Sequence, residues 1–271
     1  MGKRKLIQIG DTMTTKDRII LCAGEVAGTA VLVFIGCLGC VKGVTPGGVI
    51  PHEQISFSFG LAVMMSVQIF GHISGAHINP MVTTAAATLG HIPLIQVPIF
   101  FVGQILGSVL GYGLVQAATP SHYLGNVYRN VSGELVKTGL GVCSPSLSPL
   151  ITPGQGLLVE FVLSAILALV CCGVWDSRNA DKHDSVAIKF GLSVAVLAMS
   201  GGPYTGANMN PARSFGPALL NGDWDNHWIY WVGPIAAGLF AGLIYRLVFT
   251  KDEEPSSKET LPECVALNSK P

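Results

Sequence analysis

Two Asn-Pro dipeptides are the residues of this chain whose type and spacing could act on a small molecule. Asn79-Pro80 follows Gly75-Ala76-His77, and Asn210-Pro211 follows Gly206-Ala207-Asn208, so the two stretches correspond at an offset of 131 positions. Asn is a preferred helix N-cap and Pro a preferred first helical residue, so each dipeptide predicts a helix start. Each Asn amide would donate to a passing oxygen, and the backbone carbonyls of the six preceding residues named here would accept.

Both predicted helices are too short to cross a membrane. Gly90 and Gly222 are stop signals. They leave about ten residues, which span about 15 Å at roughly 1.5 Å per residue, half of a ~30 Å bilayer core. A helix N-terminus carries unpaired N–H groups and about half a positive charge. Two such ends facing each other would repel a cation or a hydronium ion and accept a neutral hydroxylic solute.

Composition places the chain in a membrane. Of 271 residues, 49% are apolar and only 12% are charged, against roughly 25% charged in a typical soluble domain. Sixteen basic and sixteen acidic residues cancel, so no net field favours a nucleic-acid partner.

Six apolar segments must position the two short helices. They are residues 19–41, 55–70, 92–118, 156–175, 186–199 and 228–249. Four are long enough to span, whereas the second and fifth are shorter and run directly into the Asn-Pro stretches. Short, interrupted segments at matching places in two halves are typical of an internally repeated membrane protein at its pathway.

The repeat predicts the domain organisation. Residues 59–63 match 190–194 at the same offset of 131. Each half contains three spanning segments, an odd number, so the second half must enter from the opposite face and the repeat is inverted. The expected parts are an N-terminal tail (1–18), a transmembrane pore domain (19–249) with halves at 19–118 and 156–249, a connecting loop (119–155) and a C-terminal tail (250–271).

The distribution of Lys and Arg predicts the orientation. Twelve of the sixteen lie on segments that share a side with the two termini. Positive residues collect on the cytoplasmic side, so we expect a multi-pass plasma-membrane protein with both termini in the cytoplasm and loop 119–155 outside. That loop contains Asn130-Val131-Ser132, a glycosylation sequon on the permitted side.

Other reactive residues point to no enzyme, metal or cofactor. The seven cysteines match no zinc or disulfide spacing, so they are predicted to be small buried hydrophobic residues. They are Cys22, Cys37, Cys40, Cys143, Cys171, Cys172 and Cys264. His72 and His77 could form a metal pair, but without a carboxylate partner they are expected to contribute backbone carbonyls. A set of nucleophile, base and oxyanion donor is not recognisable in the sequence.

The paired motifs resemble those of the aquaporin, or major intrinsic protein, family over about residues 19–249. The similarity rests on Ser74 to Pro80, on Asn210 to Ser214, and on Glu25 and Glu160 leading the two halves. The resemblance implies an all-α membrane protein with six tilted transmembrane helices, two re-entrant half-helices and a pore in every subunit of a homotetramer. It also implies that Glu25 and Glu160 support the re-entrant loops by hydrogen bonds.

One motif departs from the family pattern. The second motif, Asn210-Pro211-Ala212, is regular, whereas the first reads Asn79-Pro80-Met81 where the family usually has Ala. Met81 lies one residue inside the short helix, so the Asn donor is expected to survive. The change leaves the pore width near the membrane midplane open.

The resemblance assigns the outer selectivity filter to Phe59, Ala198, Ala207 and Arg213. Water-selective members carry His at the position of Ala198, so Ala predicts a wider and more apolar ring that a three-carbon polyol could pass. The frame after the second motif (Ser214, Ala218, Tyr230 and Trp231) nevertheless resembles the water-channel branch. This combination is similar to the insect glycerol-transporting aquaporins, the entomoglyceroporins.

The expected function is a passive channel for water and small uncharged solutes, including glycerol and urea, that excludes protons and ions. A water-selective aquaporin is the alternative. A secondary transporter also uses inverted repeats and broken helices, but the membrane carboxylates, Glu25 and Glu160, lie early in their segments. A structural junction protein on the same fold would show negligible permeability.

Overall fold

Helices form nearly all of the regular structure. The computed structural model describes residues 7–42, 44, 50–125, 128–131, 134–137, 139–181 and 183–250. Within these ranges the α-helices are α1 (Thr15–Leu38), α2 (His52–Ser74), α3 (Pro80–Leu89), α4 (Val97–Ala118), α5 (Pro153–Val174), α6 (Val186–Thr205), α7 (Pro211–Asn221) and α8 (Ile229–Ile244). A π-helical turn, Tyr245–Phe249, continues α8. Short 3-10 turns lie at Leu94–Gln96, Ser121–Tyr123, Ser177–Asn179 and His183–Ser185.

Matching cap signals start the first helix of each half. Thr14 accepts from the backbone N–H of Asp17, whose carboxylate accepts from the backbone N–H of Thr14. Thr152 and Gln155 form the same reciprocal capping box at the start of α5. Such boxes satisfy backbone donors that a helix end leaves unpaired, so both repeat halves begin in the same way.

Six helices in the described ranges are long and apolar enough to cross a membrane, and all six of the apolar segments correspond to one of them. The prediction of three spanning segments in each half is confirmed, but the second and fifth segments were predicted too short, because α2 has 23 residues and α6 has 20. The polar residues before Ile55 and the Gly-Gly-Pro stretch after Met199 were excluded from the apolar segments, yet both continue their helices. Helix α6 runs through Pro203 for two further residues.

Each half-helix packs against a helix of the other half: α3 against α8, and α7 against α4. Within each half, α1 packs on α4 and α5 packs on α8. Glycine permits both of these contacts within the halves. A Cβ at Gly103 of α4 would lie 2.9 Å from Cβ of Glu25 on α1, and one at Gly233 of α8 would lie 3.2 Å from Cβ of Glu160 on α5. Small residues let membrane helices approach closely, and here they bring each buried carboxylate into the bundle.

The bundle has two distinguishable ends. At the terminal end, the backbone N–H of Leu94 donates to the carbonyl of Gln8, and Arg178 donates to the carbonyl of Phe249. Arg178 also pairs with Asp176, and this guanidinium holds the pKa of the Asp176 carboxyl well below its usual range. The connector between α5 and α6 is thereby fastened to the end of α8. The opposite end carries the loops after α1, α4 and α7.

The connecting loop ends at residue 152, because α5 begins at Pro153. This loop 119–152, at the opposite end, contains a two-stranded antiparallel hairpin that was not predicted from the sequence. Its strands are β1 (Tyr128–Val131) and β2 (Glu134–Lys137), with Tyr128 opposite Lys137. Asn130 of the predicted sequon lies in β1, whereas Ser132 lies outside the described residues. The tails at 1–6 and 251–271 also lie outside them.

The cysteine prediction is wrong for one pair. Cys37, near the end of α1, and Cys143, in loop 119–152, form a disulfide with their Cα atoms 5.3 Å apart. Their sequence separation of 106 residues gives no recognisable spacing, because the loop meets α1 only after folding. Cys171 and Cys172 are buried as predicted, Cys22 and Cys40 are partly buried, and Cys264 lies outside the described residues.

Candidate functional site

Two re-entrant loops, residues 75–79 and 206–210, lead into the half-helices. Gly75 and Gly206 adopt left-handed conformations that end α2 and α6. Four residues with side chains also have positive φ: Ala76 (44°), Ile78 (48°), Ala207 (46°) and Met209 (53°). Such backbone costs on the order of 1–3 kcal/mol per residue and persists only where its surroundings hold it.

Glu25 holds the first loop. Its Oε1 accepts from Oγ of Ser74 at 2.7 Å and from the backbone N–H of His77 at 3.0 Å. Its Oε2 accepts from the backbone N–H of Ile78 at 2.7 Å and from Nε2 of Gln104 at 2.8 Å. A fully buried carboxylate with four donors is satisfied, so it fixes the loop and offers no free oxygen to a solute.

Glu160 holds the second loop in the same way. Its Oε1 accepts from Oγ1 of Thr205 at 2.6 Å and from the backbone N–H of Asn208 at 2.9 Å. Its Oε2 accepts from the backbone N–H of Met209 at 2.8 Å. These three hydrogen bonds match three of those that Glu25 makes, and within the described residues the Gln104 donor has no counterpart at Glu160.

Asn79 and Asn210 cap their half-helices and bind each other's loop. Oδ1 of Asn79 accepts from the backbone N–H of Met81 at 2.8 Å, and Oδ1 of Asn210 accepts from those of Ala212 and Arg213 at 3.0 and 3.1 Å. Nδ2 of Asn79 donates to the carbonyl of Met209 at 3.0 Å, and Nδ2 of Asn210 donates to that of Ile78 at 2.8 Å.

This reciprocal pair joins the two helix starts head to head, and the sequence analysis did not foresee it. An amide nitrogen carries two N–H groups. One from each Asn is used in the crossing bond, which leaves one from each for a solute. The two partial positive charges of the helix N-termini meet at this junction.

A cavity of about 690 Å³ runs past the junction. Cys40 and Ser144 line it at the opposite end, and Trp175 and Phe190 line it at the terminal end. Between them the lining includes the two helix-capping residues, Asn79 and Asn210. The six residues predicted to supply carbonyls all line it: Gly75, Ala76, His77, Gly206, Ala207 and Asn208. One cavity thus contacts both ends of the bundle and both re-entrant loops.

The four residues predicted for the selectivity filter lie around this cavity near the opposite end. Each is nearly buried, and each lines the cavity: Phe59, Ala198, Ala207 and Arg213. The Arg213 guanidinium carbon lies 4.5 Å above the centre of the Phe59 ring. Planar guanidinium groups stack on aromatic faces in this way. The methyl groups of Ala198 and Ala207 leave room that larger side chains would fill.

Arg213 is also held from the loop side. Its Nη1 donates to the carbonyl of Cys143 at 2.9 Å, and its Nη2 lies 3.5 Å from Sγ of the same residue. Cys143 is disulfide-bonded to Cys37. Loop 119–152 therefore contributes directly to the position of the one arginine that lines the cavity in the described part of the chain.

Three further contacts fasten that loop segment. Tyr112 donates from its hydroxyl to the carbonyl of Val142 at 2.7 Å, and Asn221 donates to the same carbonyl at 3.1 Å. The backbone N–H of Gly141 donates to Asp223 at 2.9 Å. The segment next to Arg213 is thus anchored on α4 and on the end of α7.

Met81 does not narrow the cavity. Its side chain is completely buried and packs in a cluster with Ala85, Leu163 and Leu167, and it is not among the cavity-lining residues. Pro80, Pro211 and Ala212 are likewise buried. Met81 in the first motif therefore leaves the width of the cavity unchanged, because its side chain points into the packed core.

His77 has a side-chain role in addition to its carbonyl. Its ring stacks on Phe100 with centroids 4.3 Å apart and lies 5.6 Å from the ring of Trp175. The expectation that His72 contributes a carbonyl to the site is wrong, because His72 lies within α2, is exposed and does not line the cavity. In the described ranges, no group of three or more His, Cys, Asp or Glu residues could hold a metal ion.

Sequence reasoning missed several residues that shape the site. Gln104 donates to Glu25 and to Oγ1 of Thr83, and a buried Gln in an otherwise apolar segment was the available signal. Cys143 and His52 reach the cavity from other parts of the chain, and no local pattern marks them.

Comparisons with known proteins agree with this geometry. The sequence model of the Major intrinsic protein family matches residues 12–245. Aquaporin-4 of Rattus norvegicus is 42% identical over 200 residues, which cover 74% of this chain and 57% of that protein. The lens fiber major intrinsic protein of Oryctolagus cuniculus is 36% identical over 253 residues, 88% of this chain and 89% of that protein.

The chain therefore spans little more than half the length of the Aquaporin-4 relative. In fold it is similar to the aquaglyceroporin from Plasmodium falciparum, with a TM-score of 0.72 and 23% sequence identity over 85% of this chain and 96% of that one. The expected fold class, six spanning helices with two half-helices, is confirmed. Because the family match and a relative aligned along most of both chains agree with the paired half-helices, the chain belongs to the major intrinsic protein family.

Proposed function

We propose that this chain is a passive transmembrane channel for water and small uncharged solutes, including glycerol and urea. Members of its family are channels rather than enzymes. The observation that carries the proposal is the cavity that passes between two joined half-helix N-termini and beside Arg213. Donors and acceptors then lie along one line, so a neutral polar molecule can exchange its hydration for them step by step.

Exclusion of protons and cations follows from the charges along the same line. Among the described residues, the cavity lining includes Lys42 and Arg213 but no Asp or Glu. Glu25 and Glu160 lie behind the loops with their oxygens occupied. Positive helix ends and cationic side chains raise the energy of a cation in the narrow region, whereas an uncharged solute is unaffected.

Passage of glycerol and urea is supported by the small side chains on one wall. Ala198 and Ala207 line the same cavity as the Phe59 ring and Arg213, so the carbon side of a polyol can face apolar groups while its hydroxyls face Arg213. A filter of this kind in a water-channel frame supports a kinship with the insect glycerol-transporting aquaporins.

Water selectivity remains the second candidate, and Ser214 favours it. Its hydroxyl donates to Oδ1 of Asn208 at 3.1 Å and to the carbonyl of Asn210 at 3.1 Å, so the residue typical of water channels is integral to the second loop. Secondary transport is less favoured because ion coupling needs carboxylates in the pathway. A junction protein without permeability has no use for the continuous cavity.

We further propose the cellular setting. The terminal end faces the cytoplasm in the plasma membrane, with twelve of sixteen Lys and Arg residues on that side. Loop 119–152 then lies outside, where Asn130 carries a glycan. Four copies form a homotetramer with a pathway in each, which a mass measurement of the detergent-solubilised protein would test.

The experiment is light scattering of proteoliposomes under outward water gradients and inward glycerol and urea gradients. We expect all three to pass faster than through empty liposomes, in linear proportion to the solute gradient. Water flux without glycerol or urea flux would establish the water-selective alternative. Flux that saturates or depends on a sodium or proton gradient would establish a transporter.

A further inference from the structure

An imidazole lies on the cavity wall although position 198 has none. His52, the first residue of α2, is half-buried and lines the same cavity as Phe59 and Arg213. Its Nε2 lies 3.1 Å from the backbone carbonyl oxygen of Ala198. The ring therefore contacts α6 at the position where a filter side chain is missing, but it comes from a different helix.

Gly202 provides the space for this ring. It lies one helical turn after Ala198 on α6, so the two small residues share a face. A Cβ at Gly202 would lie 1.9 Å from Cε1 and 2.4 Å from Nε2 of His52, and its three nearest atoms all belong to that imidazole. Any side chain at position 202 would displace the His52 ring.

The hydrogen bond to the Ala198 carbonyl determines which ring nitrogen of His52 can accept a hydrogen bond. A carbonyl oxygen can only accept, so Nε2 carries the proton, and in the neutral ring Nδ1 is an acceptor. The Ser56 hydroxyl donates to the carbonyl of His52 at 3.0 Å and does not use Nδ1. Within the part of the chain that the structure describes, Nδ1 has no hydrogen-bond partner.

We propose that His52 is a specificity-determining residue of the pathway. Its imidazole, held over Ala198 and Gly202, limits the width of the cavity beside the filter and presents Nδ1 to the hydroxyl or amide hydrogen of a passing solute. The largest solute admitted is then set by His52 together with Ala198. This inference deepens the proposed function and rests on it for the class of solute.

Removal of the ring tests the width. His52→Ala in proteoliposomes is expected to raise the permeability to a four-carbon polyol relative to glycerol at least about fivefold, a size discrimination within the range that one or two methylene groups produce. A single symmetric peak of the detergent-solubilised variant in size-exclusion chromatography, at the wild-type elution volume, provides the check that it is folded. The matched control is His72→Ala on the same helix, where the side chain is exposed and no ratio should change. Equal four-carbon to glycerol ratios in wild type and His52→Ala would overturn the proposal.

His52→Phe separates size from hydrogen bonding. It keeps a ring but removes Nδ1, so permeability to the four-carbon polyol should not rise above the wild-type value while glycerol permeability falls several-fold. Glycerol permeability equal to that of the wild type would refute the role of Nδ1.

Gly202→Ala provides an independent test that does not touch His52. Its Cβ must push the imidazole off α6, so glycerol permeability should fall about threefold or more, as overpacking of a tight site predicts. In the His52→Ala background the same substitution has no ring to displace and should change glycerol permeability little. Equal effects of Gly202→Ala in both backgrounds would contradict the proposed pairing.

The proposed function and this inference can fail separately. If the wild type passes water alone, the glycerol proposal fails, and the role of His52 is then decided by whether His52→Ala admits glycerol. If the wild type passes glycerol and the His52 and Gly202 variants match it both in glycerol permeability and in every solute ratio, only the inference fails.

Discussion

Ala198→His is expected to close the pathway to glycerol while it preserves the passage of water. Ala198 is nearly buried on the cavity wall, and the replacement puts an imidazole where a methyl group now lies. The new ring would share its wall with His52, whose Nε2 already lies 3.1 Å from the carbonyl oxygen of Ala198. A three-carbon polyol would then have to pass three rings, the introduced imidazole and those of His52 and Phe59, in one cavity.

The size of the effect follows from overpacking. Forcing extra atoms into a packed site costs roughly 1–3 kcal/mol, and each 1.36 kcal/mol on a barrier is tenfold in rate. Glycerol permeability should therefore fall roughly 5- to 150-fold. Water is much narrower and gains a polar lining group, so its permeability should remain within about threefold.

Stopped-flow light scattering of proteoliposomes with glycerol and with sorbitol measures both rates on one preparation. Ser200→His is the matched control, because it adds the same side chain at an exposed position of α6 that does not line the cavity. The control should retain wild-type glycerol permeability. Equal glycerol permeability in wild type and Ala198→His, with protein amounts matched, would refute the role assigned to position 198.

Three further substitutions test the supports of the site. Glu160→Gln keeps only one acceptor oxygen for three donors, so a buried N–H is left unpaired at a cost of about 1–3 kcal/mol. The midpoint of thermal unfolding in detergent should therefore fall by several degrees. An unchanged midpoint would contradict the support role of Glu160. A non-reducing proteolytic digest of the wild type should contain one peptide pair linked through Cys37 and Cys143, and two separate peptides would exclude the bond. Cys143→Ser should lower the midpoint of thermal unfolding, because the disulfide closes a loop whose chain entropy is worth up to about 4–5 kcal/mol. Gly103→Val would place a Cβ 2.8 Å from the carbonyl oxygen of Cys22, so the yield of folded protein should drop strongly in size-exclusion chromatography; a normal yield would show that α1 and α4 can separate at little cost.

The sequence predicted those parts of the molecule whose signal is local and duplicated. Asn79 and Asn210 with the following Pro define both half-helix starts, and an N-cap is a property of a few consecutive residues. The inverted topology followed from counting three spanning segments per half. Helix ends were predicted less accurately, since α2 and α6 continue through polar and glycine-rich residues that hydropathy alone leaves out.

Other features depend on pairs of residues that meet only in the folded chain. Cys37 and Cys143 are 106 positions apart, and neither lies in a recognisable spacing. His52 meets the Ala198 carbonyl across 146 positions, and no property of the first turn of α2 marks it as a cavity residue. The direction of the Met81 side chain, into the core, also depends on the packing of α3 against other helices.

The central claim is that two joined half-helix starts form an uncharged, wettable passage, and paired measurement of water and proton flux tests it most directly. In proteoliposomes loaded with a pH-sensitive dye, light scattering reports the water flux and dye fluorescence reports the proton flux on the same wild-type sample. We expect water permeability roughly tenfold or more above that of empty liposomes, with proton flux equal to that of empty liposomes. Proton flux that rises in proportion to the protein, or water flux no faster than through lipid alone, would contradict it.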